Sequence, residues 1–456
     1  MQKLIRFLSK IIRPGTASQI SMEGEPRIIK RSQHNISRQN ISPNCCKVLY
    51  RLEREGYQAF LVGGSVRDLL LGYEPKDFDV ATNATPEEVR RLFRNCRLIG
   101  RRFRLAHVYF KQEVIEVATF RTNEPHGRET SDEGIVIRDN IYGTLADDVL
   151  RRDFTVNALL YNIKSFSVLD YVNGLEDLNH GILRLIGDPL TRYREDPVRI
   201  LRAIRFAAKL GFRLEEKTAA PIPQCAPLLR QIASARLFEE VNKLFLNGHG
   251  AKTFSLLLQY DLFGLLFPET QQLLNDPLLN LEVDRFLQVV FQATDERVRN
   301  GQSVNILFLL AALLWYPQQQ RLRRYETEEL PQNIAKEKAA EEILSKEMDI
   351  IEIPRRMHHL IADIWNMQFY LEVRRGKRPF RMINHPQFSM AYDFLLLRAK
   401  ADPALLETAS WWTTFCEVSH EERQQLVYVP NSSPRRHRPF KKRRPQTSPP
   451  SSSTES

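Results

Sequence analysis

Asp77-Phe78-Asp79 places two carboxylates two residues apart in a stretch, Asp77 to Ala81, where polar and apolar side chains alternate. Alternation predicts a half-buried strand, on which residues two apart project from one face. Carboxylates held that close repel unless a cation sits between them, and a hard divalent ion such as Mg²⁺ takes oxygen ligands. Alone, such a pair is common on strands and reads better as a solvated polar face. Just upstream, however, lies Gly63-Gly64-Ser65, a turn whose backbone amides can approach a triphosphate unobstructed by Cβ. Arg67 follows, with a guanidinium suited to phosphate oxygens. A phosphate turn, an arginine and paired acids in this order compose a site for nucleotidyl transfer.

The surrounding pattern supplies elements to hold these groups. Val48, Leu49 and Leu52 form a helical face, and Ala59 to Val62 is an apolar run suited to a buried strand. Thr85-Pro86-Glu87-Glu88 is a capping box with proline at the first helical position. Leu105 to Phe110 and Val114 to Phe120 read as strands joined by a hairpin at Lys111-Gln112. Beyond Asp196-Pro197 the period becomes helical and strand-like runs are scarce. The expected fold is α+β, a small N-terminal mixed sheet with flanking helices followed by an all-α remainder.

Leu61-Val62-Gly63-Gly64-Ser65-Val66-Arg67-Asp68 followed by Asp77-Phe78-Asp79 resembles the polymerase-β-like nucleotidyltransferase superfamily, in its branch of bacterial poly(A) polymerases and CCA-adding enzymes. Arg151-Arg152-Asp153-Phe154-Thr155-Val156-Asn157-Ala158 is similar to that branch's ribose-discriminating motif, and Glu195-Asp196-Pro197-Val198-Arg199 to its base-reading motif. The resemblance implies a nucleotidyltransferase head (43–190), a helical neck with the base-reading motif (191–250), a helical body and RNA-binding arm (251–425), and flanking basic segments (1–42 and 426–456). It implies Asp77 and Asp79 as metal ligands for two Mg²⁺ ions. It also implies an ATP site built from Gly63, Gly64, Ser65, Arg67, Arg152, Asn157, Asp196 and Arg199. For a third carboxylate the resemblance favours Asp153, whose plain alternative is a helix N-cap. Glu116, in the strand-like Ile115-Glu116-Val117, is the second choice.

A carboxylate and a guanidinium one helical turn apart, as in Asp196 and Arg199, suit a base edge that donates from an amino group beside an accepting ring nitrogen. Adenine and cytosine both present that edge, so this motif does not separate an A-adding enzyme from a C-then-A-adding one. Three other features bear on the branch. Arg90, Arg91, Arg94 and Arg97 run into Gly100-Arg101-Arg102-Phe103-Arg104, which is similar to a segment of bacterial poly(A) polymerases. The stretch from Ile364 to Ala399, with Arg374, Arg375, Lys377 and Arg378, is similar to their RNA-binding arm. No His-Asp dipeptide marks the phosphohydrolase domain of some CCA-adding enzymes. The expected activity is template-independent addition of AMP from ATP to RNA 3′-ends with release of pyrophosphate, serving mRNA polyadenylation and RNA turnover. The rivals are a CCA-adding tRNA nucleotidyltransferase and an inactive RNA-binding scaffold.

The 456 residues carry 66 Lys plus Arg against 55 Asp plus Glu, net +11. Residues 1–47 hold +7 and residues 431–456 hold +6, which leaves −2 for everything between. Both ends are therefore expected to be basic and largely disordered, attracting RNA backbone. Leu4, Ile5, Leu8, Ile11 and Ile12 recur at helical spacing among basic residues, fitting either a peripheral amphipathic helix on the inner membrane face or a solvated leader. Ile306 to Tyr316, the longest apolar run, is far short of the roughly 20 residues a membrane span needs. The five cysteines lack metal-ligand spacing, as expected of a reduced, cytoplasmic protein. Arg199, Arg202, Arg205 and Lys209 are expected to form a stripe that tracks RNA, some of them instead pairing with acids of the head. Trp411 and Trp412 read as core or interface residues. An RNA-turnover nuclease or an RNA chaperone is the expected kind of protein partner.

Overall fold

A computed structural model of the chain describes residues 25–100, 104–122, 129–130, 136–138 and 142–427. The described residues open with strand β1 (Arg27–Ile29) and helix α1 (Pro43–Arg54). The Ser42 hydroxyl caps α1 by accepting from the amides of Asn44 and Cys45, and its apolar stripe of Cys45, Val48, Leu49 and Leu52 is buried. Then follow β2 (Ala59–Val62), α2 (Gly64–Leu70), β3 (Asp79–Thr82), α3 (Pro86–Leu92), β4 (Cys96–Ile99), β5 (Leu105–Tyr109) and β6 (Val114–Thr119). The Thr85/Glu88 capping box starts α3 as its sequence predicts. β9 (Leu160–Asn162) and β10 (Ser167–Asp170) complete one sheet in the order β1-β10-β9-β2-β3-β6-β5-β4. Only β3 and β6 run parallel in it, so the sheet is mixed. Two small pairs stand apart: β7 (Glu129–Thr130) with β8 (Val136–Arg138), and β11 (Ile182–Leu183) with β12 (Arg213–Leu214).

The two faces of the sheet differ. Leu61, Val80, Val108, Ile115 and Val117 are buried on the side where α1 and α3 pack. On the other side Phe60, Val62, Ala81 and Leu160 join Val149, Val172 and Ile186 in a second apolar cluster over β2 and β9. That cover does not extend over β6, β5 and β4, where Val114 and Ile99 are each 42% exposed. The acidic residues lie on this more open face.

The boundary expected at residue 42 falls too late. β1 pairs with β10, Arg27 opposite Asp170, and Ile29, Ile36 and Ile41 are buried. Asn35 donates to the carbonyls of Leu69 and Leu70 at the end of α2. Residues 25–42 therefore belong to the head, because three isoleucines and a sheet edge outweigh the segment's polar composition. The amphipathic stretch before residue 13, with the membrane contact expected of it, lies outside the described residues, as do Arg101, Arg102 and the basic tail.

After α4 (Leu145–Leu150), α5 (Gly174–His180), α6 (Pro189–Glu195), α7 (Val198–Leu210) and α8 (Ser234–Phe245), the chain is helical. Phe245 stacks on Phe291 and Phe254 meets Phe263 edge-on in the core of this part. The run Ile306–Leu313 is a buried helix, and no described helix is long and apolar enough to cross a membrane. The chain divides into two compact units between Trp365 and Asn366, a division not expected within the 251–425 segment. The second unit has its own core of Leu371, Phe388, Leu395, Trp412 and Phe415. Trp412 is fully buried and donates its indole N–H to the Leu371 carbonyl.

Candidate active site

Gly63 ends β2 with φ +74° and ψ −137°, a conformation open to glycine but not to side chains with a Cβ. A Cβ there would stand 3.7 Å from Arg152 Nη1 and 3.9 Å from Asp79 Oδ2. The turn, the acid and the arginine expected to share one site are thus brought together. The Ser65 hydroxyl closes this turn by donating to the Val62 carbonyl at 2.9 Å.

β3 begins at Asp79, so Asp77 lies on the exposed approach to the strand rather than on the strand itself. Parallel pairing of β3 with β6 sets Asp79 directly opposite Glu116. Burial, then the negative charge of Glu116, pushes the Asp79 carboxyl up to about 6. Asp77 pushes the same way, and the Arg152 guanidinium opposes them. Among the described residues no three acids, histidines or cysteines stand close enough to cage an ion by themselves. The donor set fits Mg²⁺ in another way: all-oxygen, carrying excess negative charge, and leaving positions for substrate phosphates and water, as Mg²⁺ prefers.

Asp153 is placed differently. One of its oxygens accepts from the Phe154 amide and from Asn157 Nδ2, and the other accepts from Arg202 Nε at 2.9 Å and from Arg202 Nη2. Burial alone would raise this carboxyl, but the Arg202 guanidinium holds it below the usual carboxylate range. Asn157 also accepts from Arg67 Nη1, and Arg67 pairs with Asp68 and lies over the Phe206 ring. A polar chain Asp68–Arg67–Asn157–Asp153–Arg202 therefore ties α2 to α7. Arg67, 2% exposed, is committed to this chain rather than presented to phosphate. Arg202 and Lys209, expected on an RNA stripe, pair with Asp153 and Asp68 of the head. Arg205 packs over Phe206.

Asp196 and Arg199, the pair expected to read the base, are also held. Asp196 Oδ2 accepts from Arg236 Nη2 at 2.8 Å, while its Oδ1 accepts from the Val198 amide. Arg199 Nη1 donates to the Arg192 carbonyl and to Glu195 Oε2. Arg192 donates to the carbonyls of Arg151 and Arg152, which anchors the Asp196–Arg199 segment to the Arg151–Ala158 segment. Arg236 lies 40 residues from Asp196 and no local signal marks it; Arg192 and Glu195 carry only an ordinary i,i+3 pairing. In the second unit Arg374 pairs with Glu407 and Arg378 lies over Tyr370, while Arg375 and Lys377 are exposed around Gly376.

Three family models match in order: "Poly A polymerase head domain" over residues 59–184, "Probable RNA and SrmB- binding site of polymerase A" over 211–274, and "Polymerase A arginine-rich C-terminus" over 328–448. Poly(A) polymerase I of Escherichia coli O6:H1 is 45% identical over 97% of this chain and 98% of its own length. The chain belongs to the poly(A) polymerase I family. Poly(A) polymerase I of Salmonella typhi is 47% identical over 91% of this chain and 92% of that protein. A CCA-adding enzyme of Lactobacillus helveticus is 39% identical but over 47% of this chain and 53% of its own length. The fold is shared with the solved CCA-adding enzyme of Thermotoga maritima in complex with tRNA, at TM-score 0.57 and 21% identity over 89% of this chain and 91% of that one.

Proposed function

We propose that this protein is a template-independent polynucleotide adenylyltransferase that extends RNA 3′-ends with AMP from ATP and releases pyrophosphate. The observation that carries the reading is the extent of the likeness. It spans 97% of the chain against poly(A) polymerase I, and stops near half of it against the CCA-adding enzyme.

Asp77, Asp79 and Glu116 would hold Mg²⁺ together with substrate phosphates and water, and Asp153 positions Arg202 instead of serving as the third ligand. Bound there, two such ions would lower the pKa of the primer 3′-hydroxyl and neutralise the leaving pyrophosphate. The chain's own residues do the rest. The Gly63–Gly64 turn lets the triphosphate approach the backbone, and Arg152 offers it positive charge beside Asp79. Asp196 accepts from the adenine amino group while Arg199 donates to the neighbouring ring nitrogen. Because Arg236 and Glu195 hold both readers, base choice depends on a rigid edge and needs no template.

Substitution of the acids tests this assignment. Glu116→Gln is expected to cut AMP transfer by a factor on the order of 10² or more with the fold intact, as loss of a preorganised charge does. Asp153→Asn is expected to lower stability by about 2 kcal/mol, because Arg202 loses its part-buried charged partner. Transfer unchanged in Glu116→Gln would remove Glu116 from the site.

A further inference from the structure

The arginine run on α3 and β4 has no role in the chemistry above, and it ends on the face that carries the acids. Strand pairing aligns four side chains across that face. Asp79 is opposite Glu116, Glu116 opposite His107, and His107 opposite Arg97. Residues paired in register share a face, so the row runs unbroken from the metal-binding carboxylates to the sheet edge. His107 Nε2 stands 3.4 Å from Glu116 Oε2. Two residues further along β5, Tyr109 lies on the same face, its ring centre 6.3 Å from that of His107. The Arg97 guanidinium lies 5.6 Å from the centre of the Tyr109 ring. Val114, opposite Tyr109, and Ile99, on the edge strand, are exposed apolar neighbours. Arg90 and Arg94 stand exposed just before β4.

We infer that this row is a primer subsite: the 3′-terminal segment of the RNA leaves the active site over β5 and β4, a base stacking on Tyr109 and a backbone phosphate meeting Arg97. The inference rests on the reading of Asp79 and Glu116 given above. Its chemistry is that of a single-strand track, an aromatic platform flanked by guanidinium groups. Two features commit it to RNA. The surface is continuous with the carboxylates where the 3′-hydroxyl must react, and its charge turns from negative at the metal end to positive at the edge. A nucleotide triphosphate lying along the row would bring its phosphates to the Gly63 turn, at the opposite end from Arg97.

The test is steady-state AMP addition by the full chain to a short oligoadenylate primer, varying primer and ATP separately. Arg97→Ala and Tyr109→Ala are each expected to raise the KM for primer roughly ten-fold, the scale of one lost stack or phosphate contact. The KM for ATP and kcat should stay within about two-fold, and Tyr109→Phe, which keeps the ring, should behave as wild type. Arg97→Ala should also flatten the salt dependence of primer binding, by about 0.7 in the log–log slope. Arg97 is exposed, so its substitution carries the test even if Tyr109→Ala fails to fold. A primer KM unchanged in Arg97→Ala, as expected if the face serves an acidic protein, overturns the subsite. So does a rise in the KM for ATP in place of that for primer. Wild-type protein that adds no AMP to any RNA would defeat the proposed function and this inference together; unchanged variants of an active enzyme defeat the inference alone.

Discussion

Asp79 is held in a state that folding alone does not favour. Its carboxyl, pushed from 3.8 to about 6 by burial and by Glu116, binds a proton more tightly in the folded chain than in the unfolded one. The sign follows by linkage: the stability contributed by this group is present at low pH and falls as pH rises from about 4 to 6, with ionised Asp79 a cost at neutrality. Metal-free Asp79→Asn is therefore expected to be more stable than wild type at pH 7, by on the order of 1–2 kcal/mol, while losing AMP transfer. Thermal unfolding at pH 4 and at pH 7 checks this, since the advantage should shrink at the lower pH. Equal stability of the two proteins at both values would mean that the carboxylates do not repel as described. The sequence alone could bring Asp77 and Asp79 into the argument, but its resemblance puts Asp153 ahead of Glu116, the reverse of the order proposed above. The proposed order depends on a parallel strand pairing and on an arginine 49 residues away.

At the scale of elements, the strongly periodic or capped segments were legible and the short, cross-paired ones were not. α1, β2, α3, β5 and β6 follow from local pattern because one buried stripe or one capping box sets each of them. β1 has three residues inside a polar segment, and its partner β10 lies some 140 residues on, so nothing local distinguishes it from coil. β4 hides in an arginine run, where Arg97 alternates with buried Cys96 and half-buried Leu98. The consequence of β1 is testable. Deleting residues 1–42 removes buried Ile29, Ile36 and Ile41, each worth about 1.5–3 kcal/mol. The truncated protein is expected to melt many degrees lower or fail to fold. A melting temperature within a degree or two of wild type would show that the segment is dispensable to the head.

For the whole molecule, the distribution of charge divides the labour. The excess of +11 sits at the two ends; the chain between them is near balance in its numbers of acids and bases, and several of its arginines are paired, Arg202 with Asp153, Arg236 with Asp196, Arg321 with Glu269 and Glu342. Deleting residues 431–456, with seven Lys and Arg, should weaken RNA binding and flatten its salt dependence while single-nucleotide addition at saturating RNA survives. Binding by nitrocellulose filter or fluorescence anisotropy at several salt concentrations measures this, and loss of chemistry at saturating RNA would contradict it. The central claim, that the site selects ATP for RNA ends in general, is tested by offering the purified protein a generic RNA and a tRNA lacking its 3′ end, each with ATP or with CTP. The account predicts long A tails on the generic RNA, formed with ATP and not with CTP; two C additions confined to the tRNA would contradict it.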